Sequence, residues 1–166
     1  GDGLPSLIVD RYADRLVVQT LSQATERLKS EIVAALVDLV KPAGILERND
    51  PKVRRLEGLE QTVSVLYGDV PAAVEVDEGG VRFAADLLHG QKTGLFLDQR
   101  ENHLMVRSYA RGRVLDGFAY DGGFALQAAG VAESVLAVDV SAEAVGRVKA
   151  NAARNGLANV EALEAN

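Results

Sequence analysis

The chain has no cysteine and no tryptophan, one methionine, two histidines and four prolines. Without cysteine there can be no disulfide, no thiolate metal site and no cysteine nucleophile within these 166 residues. The histidines, His89 and His103, are too isolated to make a ligand cluster, so no metal is expected. No stretch approaches the roughly eighteen consecutive apolar residues of a membrane-spanning helix. The start, Gly1-Asp2-Gly3-Leu4-Pro5, has neither the basic beginning nor the apolar run of a secretory signal. A cytoplasmic setting without membrane contact is the expectation. Positive charge is also scarce: 18 Lys and Arg stand against 24 Asp and Glu, a net charge of -6. Long-range electrostatics therefore do not draw the chain as a whole toward nucleic acid, and any RNA contact must be local.

What remains is the composition of a folded domain. A hydrophobic content of 48% and a charged content of 25% allow one ordinary core or two small ones. Residues 6 to 21 alternate apolar and polar around Asp10-Arg11-Tyr12-Ala13-Asp14, as a hairpin does. From Glu26 the period changes: Leu28, Ile32, Leu36 and Val40 recur at helical spacing, and Lys41-Pro42-Ala43-Gly44 stops the helix. Gly44 to Glu47 reads as a strand, Pro51 to Leu56 as a short helix with Asp50 as its N-cap, and Thr62 to Tyr67 as a further strand. This strand-strand-helix-strand-helix order, with a last strand, predicts a small α+β domain over residues 1–70. Pro71 marks its end, and residues 71–166 form a second domain that begins with a hairpin over 73–86 turning at Asp77-Glu78-Gly79-Gly80.

A helix is predicted near 98–110, with Asp98 and Glu101 spaced as a capping box. An α/β segment follows over 114–166. Its strands are Val114 to Phe118, Val135 to Val140 and one starting at Val160-Glu161-Ala162. Its helices run from Gly123 to Ala129 and from an N-cap at Ser141 to Asn155, with Gly156 as C-cap.

Two runs carry chemistry. Val114-Leu115-Asp116-Gly117-Phe118-Ala119-Tyr120-Asp121-Gly122-Gly123-Phe124 is an apolar strand emptying into a glycine-rich turn. In a parallel α/β sheet that is where a ligand meets the backbone. The spacing Gly117-x4-Gly122-Gly123 is not the dinucleotide fingerprint, which argues against a nicotinamide or flavin dinucleotide. Asp139, sixteen residues after Gly123 at the tip of the second strand and followed by Val140, can accept hydrogen bonds from both hydroxyls of a ribose. The other run, Gly90 to Asn102, is polar and glycine-flanked, without core periodicity; Gln91, Lys92 and Thr93 offer donors and acceptors, and Asp98 and Arg100 are placed to pair. Arg48, Lys52, Arg54 and Arg55 make a local basic cluster suited to phosphate, although a basic surface turn is the commoner use.

Together the two runs resemble the S-adenosylmethionine-dependent methyltransferases that modify cytosine C5 in large-subunit (23S) ribosomal RNA, and the resemblance extends from residue 1 to residue 166. Their motif V-L-D/N-x-F-x-Y-T-G-G-F is matched from Val114 to Phe124 except that Asp121 stands where threonine is usual, and His103 stands where arginine is frequent. The resemblance implies a class I, Rossmann-like catalytic domain of which residues 71–166 are the N-terminal half. It implies S-adenosylmethionine as cofactor, lined by Phe118, Tyr120, Asp121, Gly122 and Gly123, with Asp139 and Val140 at the ribose and Asn166 at the adenine. It implies that Gln91, Lys92, Thr93, Asp98 and Arg100 close the pocket and face the substrate base.

The resemblance also implies a segment lacking both ends. Enzymes of this kind attack cytosine C6 with a cysteine thiolate to make C5 nucleophilic, and no catalytic residue for that step is present here. The family's Asp-Pro-Pro type of motif is missing, and Gly1 to Pro5 resembles the sequence just after an N-terminal RNA-binding module of the pseudouridine synthase and archaeosine transglycosylase type. The expectation is an RNA methyltransferase whose ribosomal RNA partner is engaged through the longer protein, with this segment inactive alone and its uncovered sheet edge prone to self-association. Methylation of another RNA base, or a non-catalytic cofactor- or RNA-binding module, are the alternatives.

Overall fold

The computed structural model describes residues 3–166; Gly1 and Asp2, part of the expected junction with a preceding module, lie outside the described residues. The chain divides into two compact units, one of residues 1–74 and 85–94, the other of residues 75–84 and 95–166.

The first unit is built on a four-stranded sheet in the order β1-β2-β3-β4. β1 (Leu7–Tyr12) and β2 (Arg15–Thr20) form the predicted hairpin, but its turn is only Ala13-Asp14. Asp10, Arg11 and Tyr12 thus belong to the strand, because Ala13 takes a left-handed φ of 53° and Tyr12 pairs directly with Arg15. β3 (Gly44–Asn49) pairs parallel to β2 and antiparallel to β4 (Thr62–Gly68). The parallel pairing needs a crossover, and the helical segment provides it as two helices rather than the single one expected: α1 (Gln23–Arg27), capped by Ser22, and α2 (Lys29–Val40). Leu28 separates them with ψ of 6°, while its carbonyl still accepts the Ile32 N–H at 2.9 Å at the start of α2. Val33, Leu36, Val37 and Val40 of α2 pack on Leu16, Val18 and Ile45. Residues Lys52–Glu57 form a 3-10 helix with Pro51 in the N-cap place, where Asp50 was expected, and no side chain caps it.

β5 (Ala73–Glu78) and β6 (Val81–Asp86) form the expected hairpin, turning through Gly79 and Gly80 at φ of 61° and 87°. That double left-handed turn suits two glycines. In the second unit, 3-10 turns at Leu97–Gln99 and Val106–Ser108 flank a short α3 (Arg100–Met105). The expected capping box of Asp98 and Glu101 is not formed: the preceding 3-10 turn shifts the N-cap to Gln99, and no side chain caps the helix.

The three-stranded sheet of this unit has order β7-β8-β9, all parallel: β7 (Arg113–Gly117), β8 (Ser134–Asp139) and β9 (Val160–Glu164). α4 (Gly123–Ala129) and α5 (Ala142–Arg154) are the crossovers. Register sets buried Ala137 opposite buried Ala162, with Val135 buried two residues earlier on β8, while Leu115 is 70% exposed. The result is a mixed α/β, Rossmann-like arrangement in which every β7–β9 strand points its carboxyl end the same way.

Candidate cofactor site

β7 ends at Gly117, and the chain then turns through two non-glycine residues with left-handed backbone, Phe118 at φ of 63° and Tyr120 at 50°. Such conformations cost energy and persist only where surroundings over-determine them. Here they are held from the next strand: the Ala119 N–H donates to Val138 O at 3.0 Å, and the Tyr120 N–H to Asp139 Oδ2 at 2.9 Å. The Asp139 Oδ1 accepts the Ser141 N–H at 3.0 Å. Each oxygen of this carboxylate therefore spends one lone pair on the backbone and keeps another, so the group is oriented and can still accept from a vicinal diol.

A cavity of about 220 Å³ opens beside the turn, walled by Phe83, Phe96, Phe118, Tyr120 and Phe124, with Glu78, His103 and Asp121 as its charged members. It is smaller than the roughly 300–1,000 Å³ of whole small-molecule sites. It suits one end of a ligand whose remainder lies along the open strand tips. His103 Nδ1 donates to Glu78 Oε1 at 2.8 Å, and the His103 ring meets Phe124 edge-on at 4.5 Å. Behind the turn, Asp116 accepts the Ala125 N–H at 3.0 Å. Burial raises its carboxyl above the usual aspartate range, and the charge of Asp139 adds to this against the pull of the Ala125 amide and His103.

The glycines of the turn serve packing more than ligand approach. At Gly122, with φ of 85°, a Cβ would overlap Leu126, and at Gly123 it would overlap the His103 ring. Only at Gly117 does a Cβ meet open space, which leaves room for a ligand against the backbone. Phe118 is 88% exposed, Val140 is exposed, and Ala165 N–H donates to Asp139 O at 3.1 Å, which brings the chain leading to Asn166 beside the Asp139 backbone. Asp121, expected to line the cofactor, is buried beside the cavity with its carboxylate bonded to the Arg147 Nε.

The Gly90 to Asn102 run divides between the units. Gln91 and Lys92 are exposed in the first unit, whereas Thr93 is buried with its hydroxyl accepting from Tyr12 Oη at 2.8 Å and donating to Asp10 Oδ2 at 2.5 Å. Asp98 and Arg100 belong to the second unit and are both exposed. In place of the expected pair with Asp98, Arg100 pairs with Glu101 at 3.3 Å, its neighbour in the first turn of α3. The basic cluster dissolves as well. Arg48, on the central strand β3, is buried and donates to Leu87 O and Gly90 O at 2.7 and 2.9 Å, and Arg54 is buried against Glu26; only Lys52 and Arg55 remain exposed.

Residues 53–163 match the S-adenosylmethionine-dependent methyltransferase family. The chain belongs to that family. Among its methyltransferase relatives, ribosomal RNA large subunit methyltransferase I of Aeromonas hydrophila is 44% identical over 160 residues, covering 94% of this chain and 40% of that protein. The chain thus spans about 40% of the length of the curated relatives it matches. A Streptococcus mutans structure described as an S-adenosylmethionine-dependent methyltransferase superposes with a TM-score of 0.80 at 26% identity, over 97% of this chain and 42% of that one. A methyltransferase structure complexed with S-adenosylhomocysteine gives 0.81 at 26% identity, with the same coverage. The family's cofactor fits the residues present: an oriented carboxylate with acceptor capacity left at one strand tip, and an aromatic cavity at the next. Two residues that contact the cavity wall escaped the sequence reading, Arg147 and Asn151 of α5. Both lie at helical spacing with the buried Ala144 and Val148, and a polar residue on such a stripe is the signal that could have found them. Among the described residues no group of three or more potential metal ligands exists, and no helix is long and apolar enough to cross a membrane.

Proposed function

We propose that this chain is the cofactor-binding part of a methyltransferase that acts on C5 of a cytosine in large-subunit (23S) ribosomal RNA. The observation that carries the reading is the Asp139 carboxylate, fixed by two backbone amides beside the left-handed turn of Phe118 to Gly122. The substrate class is supported by the naming of relatives at 40 to 44% identity as ribosomal RNA large subunit methyltransferases.

Bound, S-adenosylmethionine supplies an electrophilic methyl group. The residues on hand bind and orient: Asp139 takes the ribose hydroxyls, Phe118 and Tyr120 hold apolar surface, and the aromatic wall excludes water from the transferring end. In this reading Asp98 and Arg100, in the unit that carries the cavity, face the substrate base. Activation of cytosine C5 requires addition of a nucleophile at C6, for which a thiolate serves, and these 166 residues contain none.

Removing a charged hydrogen-bond acceptor costs about 1.5–3 kcal/mol, so Asp139→Ala should weaken S-adenosylhomocysteine binding at least tenfold by calorimetry. Equal affinities in parent and variant would falsify the assignment. For the substrate, the protein carrying this segment should release tritium from ribosomal RNA labelled at cytosine C5 as methyl is incorporated, and the 166 residues alone should release none. Methyl incorporation without tritium release would move the target to another atom or base.

A further inference from the structure

The turn after β7 holds Phe118 and Tyr120 in left-handed backbone, and besides the bond from Tyr120 to the sheet, Tyr120 and its neighbour Asp121 are held from the inward face of α5. Arg147 Nε donates to Asp121 Oδ1, and its guanidinium carbon sits 4.7 Å from the centroid of the Tyr120 ring, over the ring face. The opposite constraint on that ring is Phe96, edge-on at 5.1 Å. One helical turn further, Asn151 Nδ2 donates to Asp121 O at 3.1 Å, while Asn151 Oδ1 accepts the Ala84 N–H at 3.1 Å. Asn151 is 1% exposed, and Asp121 is 4% exposed. Tyr120 and Asp121 both face the cavity.

A planar guanidinium can stack on a ring and bond a carboxylate at once, which an ammonium cannot. Arg147 therefore constrains two consecutive residues of the cavity wall with one side chain, and Asn151 fixes the backbone between them and the helix. We infer that Arg147 is a positioning residue of the cofactor pocket: it clamps Tyr120, in its left-handed backbone, and the neighbouring Asp121 in the arrangement that the ligand meets, so that binding does not have to meet that strain. The inference rests on the cofactor reading above. Arg147 acts through Tyr120 and Asp121 and touches no part of the ligand in this account. If only a fraction of the unliganded protein has the turn in place, apparent affinity falls by that fraction for every ligand that uses the wall.

The test compares S-adenosylhomocysteine with 5′-methylthioadenosine, which keeps the adenosine and loses the amino-acid end. Arg147→Leu should weaken both by about tenfold, to a similar degree, and should speed amide hydrogen exchange at Tyr120 in the unliganded protein. Saturating ligand should restore most of that protection. Arg147→Lys, which keeps the charge beside Asp121 without the planar stack, should lose less than Arg147→Leu on both ligands; it also carries the comparison if the leucine variant fails to fold. Loss confined to S-adenosylhomocysteine would show direct contact with the amino-acid end and overturn the positioning role, as would unchanged affinities or unchanged exchange at Tyr120. Failure of the parent protein to bind either ligand would instead remove the cofactor reading on which the inference stands.

Discussion

The two units of this chain bury charge to different ends. In the four-stranded unit, Glu47, Arg48 and Arg54 are each less than 5% exposed; the two arginines donate to backbone carbonyls and to Asp50 and Glu26, and Glu47 accepts from Lys29, Asn49 and Ser64. Arg54 donates to Glu60 O at 2.8 Å, to Glu26 at 3.0 Å and to Thr20 O; Lys29 bridges Glu26 and Glu47 at 2.7 and 3.0 Å. These are struts between secondary-structure elements. In the three-stranded unit, Asp121 and the Glu78–His103 pair line a cavity, and the Asp139 carboxylate at the neighbouring strand tip keeps acceptor capacity beyond its two backbone partners. The lesson is that burial alone does not mark a site. What distinguishes the second set is unspent capacity beside strained backbone, whereas the first set is closed on itself.

The largest expected effect would break the strut side of this contrast. Arg54→Met keeps the volume but leaves Thr20 O and Glu60 O without their donor and Glu26 without one of its cations. Breaking a buried ion pair on one side costs about 3–5 kcal/mol, to be read from urea unfolding. Arg147→Leu also takes a cation from a buried carboxylate, Asp121, but leaves no main-chain carbonyl without its donor, so it should cost less than Arg54→Met by the same measurement. Comparable losses in the two variants would mean that the charges of both units are structural in the same degree.

A smaller effect separates the units by pH. Burial works to raise the Glu26 carboxyl, but hydrogen bonds from Lys29, Thr20 and Arg54 outweigh it and bring it from the usual 4.5 down to about 2. A carboxyl depressed in the folded state contributes stability above its unfolded value and loses it as pH falls through the folded one. The contribution is at most about 3 kcal/mol, lost as pH falls below roughly 4.5 toward 2. Glu47 is lowered as well, through Lys29 and Ser64 against its own burial, and adds in the same direction. Asp116 works oppositely. Its folded carboxyl is raised, so it favours folding below the unfolded value of 3.8 and ceases to do so as pH rises through the folded one. Acid should therefore loosen amide protection first in β2, β3 and α1, and hydrogen exchange on acidification is the measurement. Earlier loss in β7 would reverse the assignment.

How much of this was legible depended on whether the side chains were apolar. The hairpin of Leu7 to Thr20, the helix ending at Val40 and the alternation of β7, α4, β8, α5 and β9 are written in hydrophobic periodicity, and strands and helices stand within a few residues of the expected places. Polar residues were read less well because sequence does not say whether a charge meets solvent. Arg48 and Arg54 looked like a basic surface because their partners, Leu87 O, Gly90 O and Thr20 O, are main-chain atoms distant in sequence. Thr93 looked like a ligand donor for the same reason, since Tyr12 and Asp10 lie some eighty residues away. The capping box at Asp98 failed on a local detail, a 3-10 turn that moved the helix start. The place of Asp139 at the end of β8 was legible because strand-tip topology is what periodicity conveys.

The smallest expected effect sharpens the comparison by applying one chemical change to both units. Ser22 caps α1 through the Thr25 N–H, with Thr25 Oγ1 accepting the Ser22 N–H at 3.3 Å in return, and Ser141 caps α5 by accepting the Ala144 N–H at 3.3 Å. Replacing either by alanine removes one acceptor from a helix start and costs about 1 kcal/mol, so the two variants should unfold at similarly lowered urea concentrations. Their effects on ligand should differ. The Ser141 N–H donates to Asp139 Oδ1, so loosening the start of α5 lets the carboxylate drift from its orientation, whereas nothing on α1 supports the cavity. Ser141→Ala should weaken S-adenosylhomocysteine binding about two- to threefold, a few tenths of a kcal/mol on the tenfold-per-1.4 scale, and Ser22→Ala should not change it. If both variants bind as the parent does, Asp139 is held by Tyr120 alone and the cap of α5 belongs with the struts; if both weaken binding equally, the site draws on the stability of the whole chain and the division of labour between the units fails.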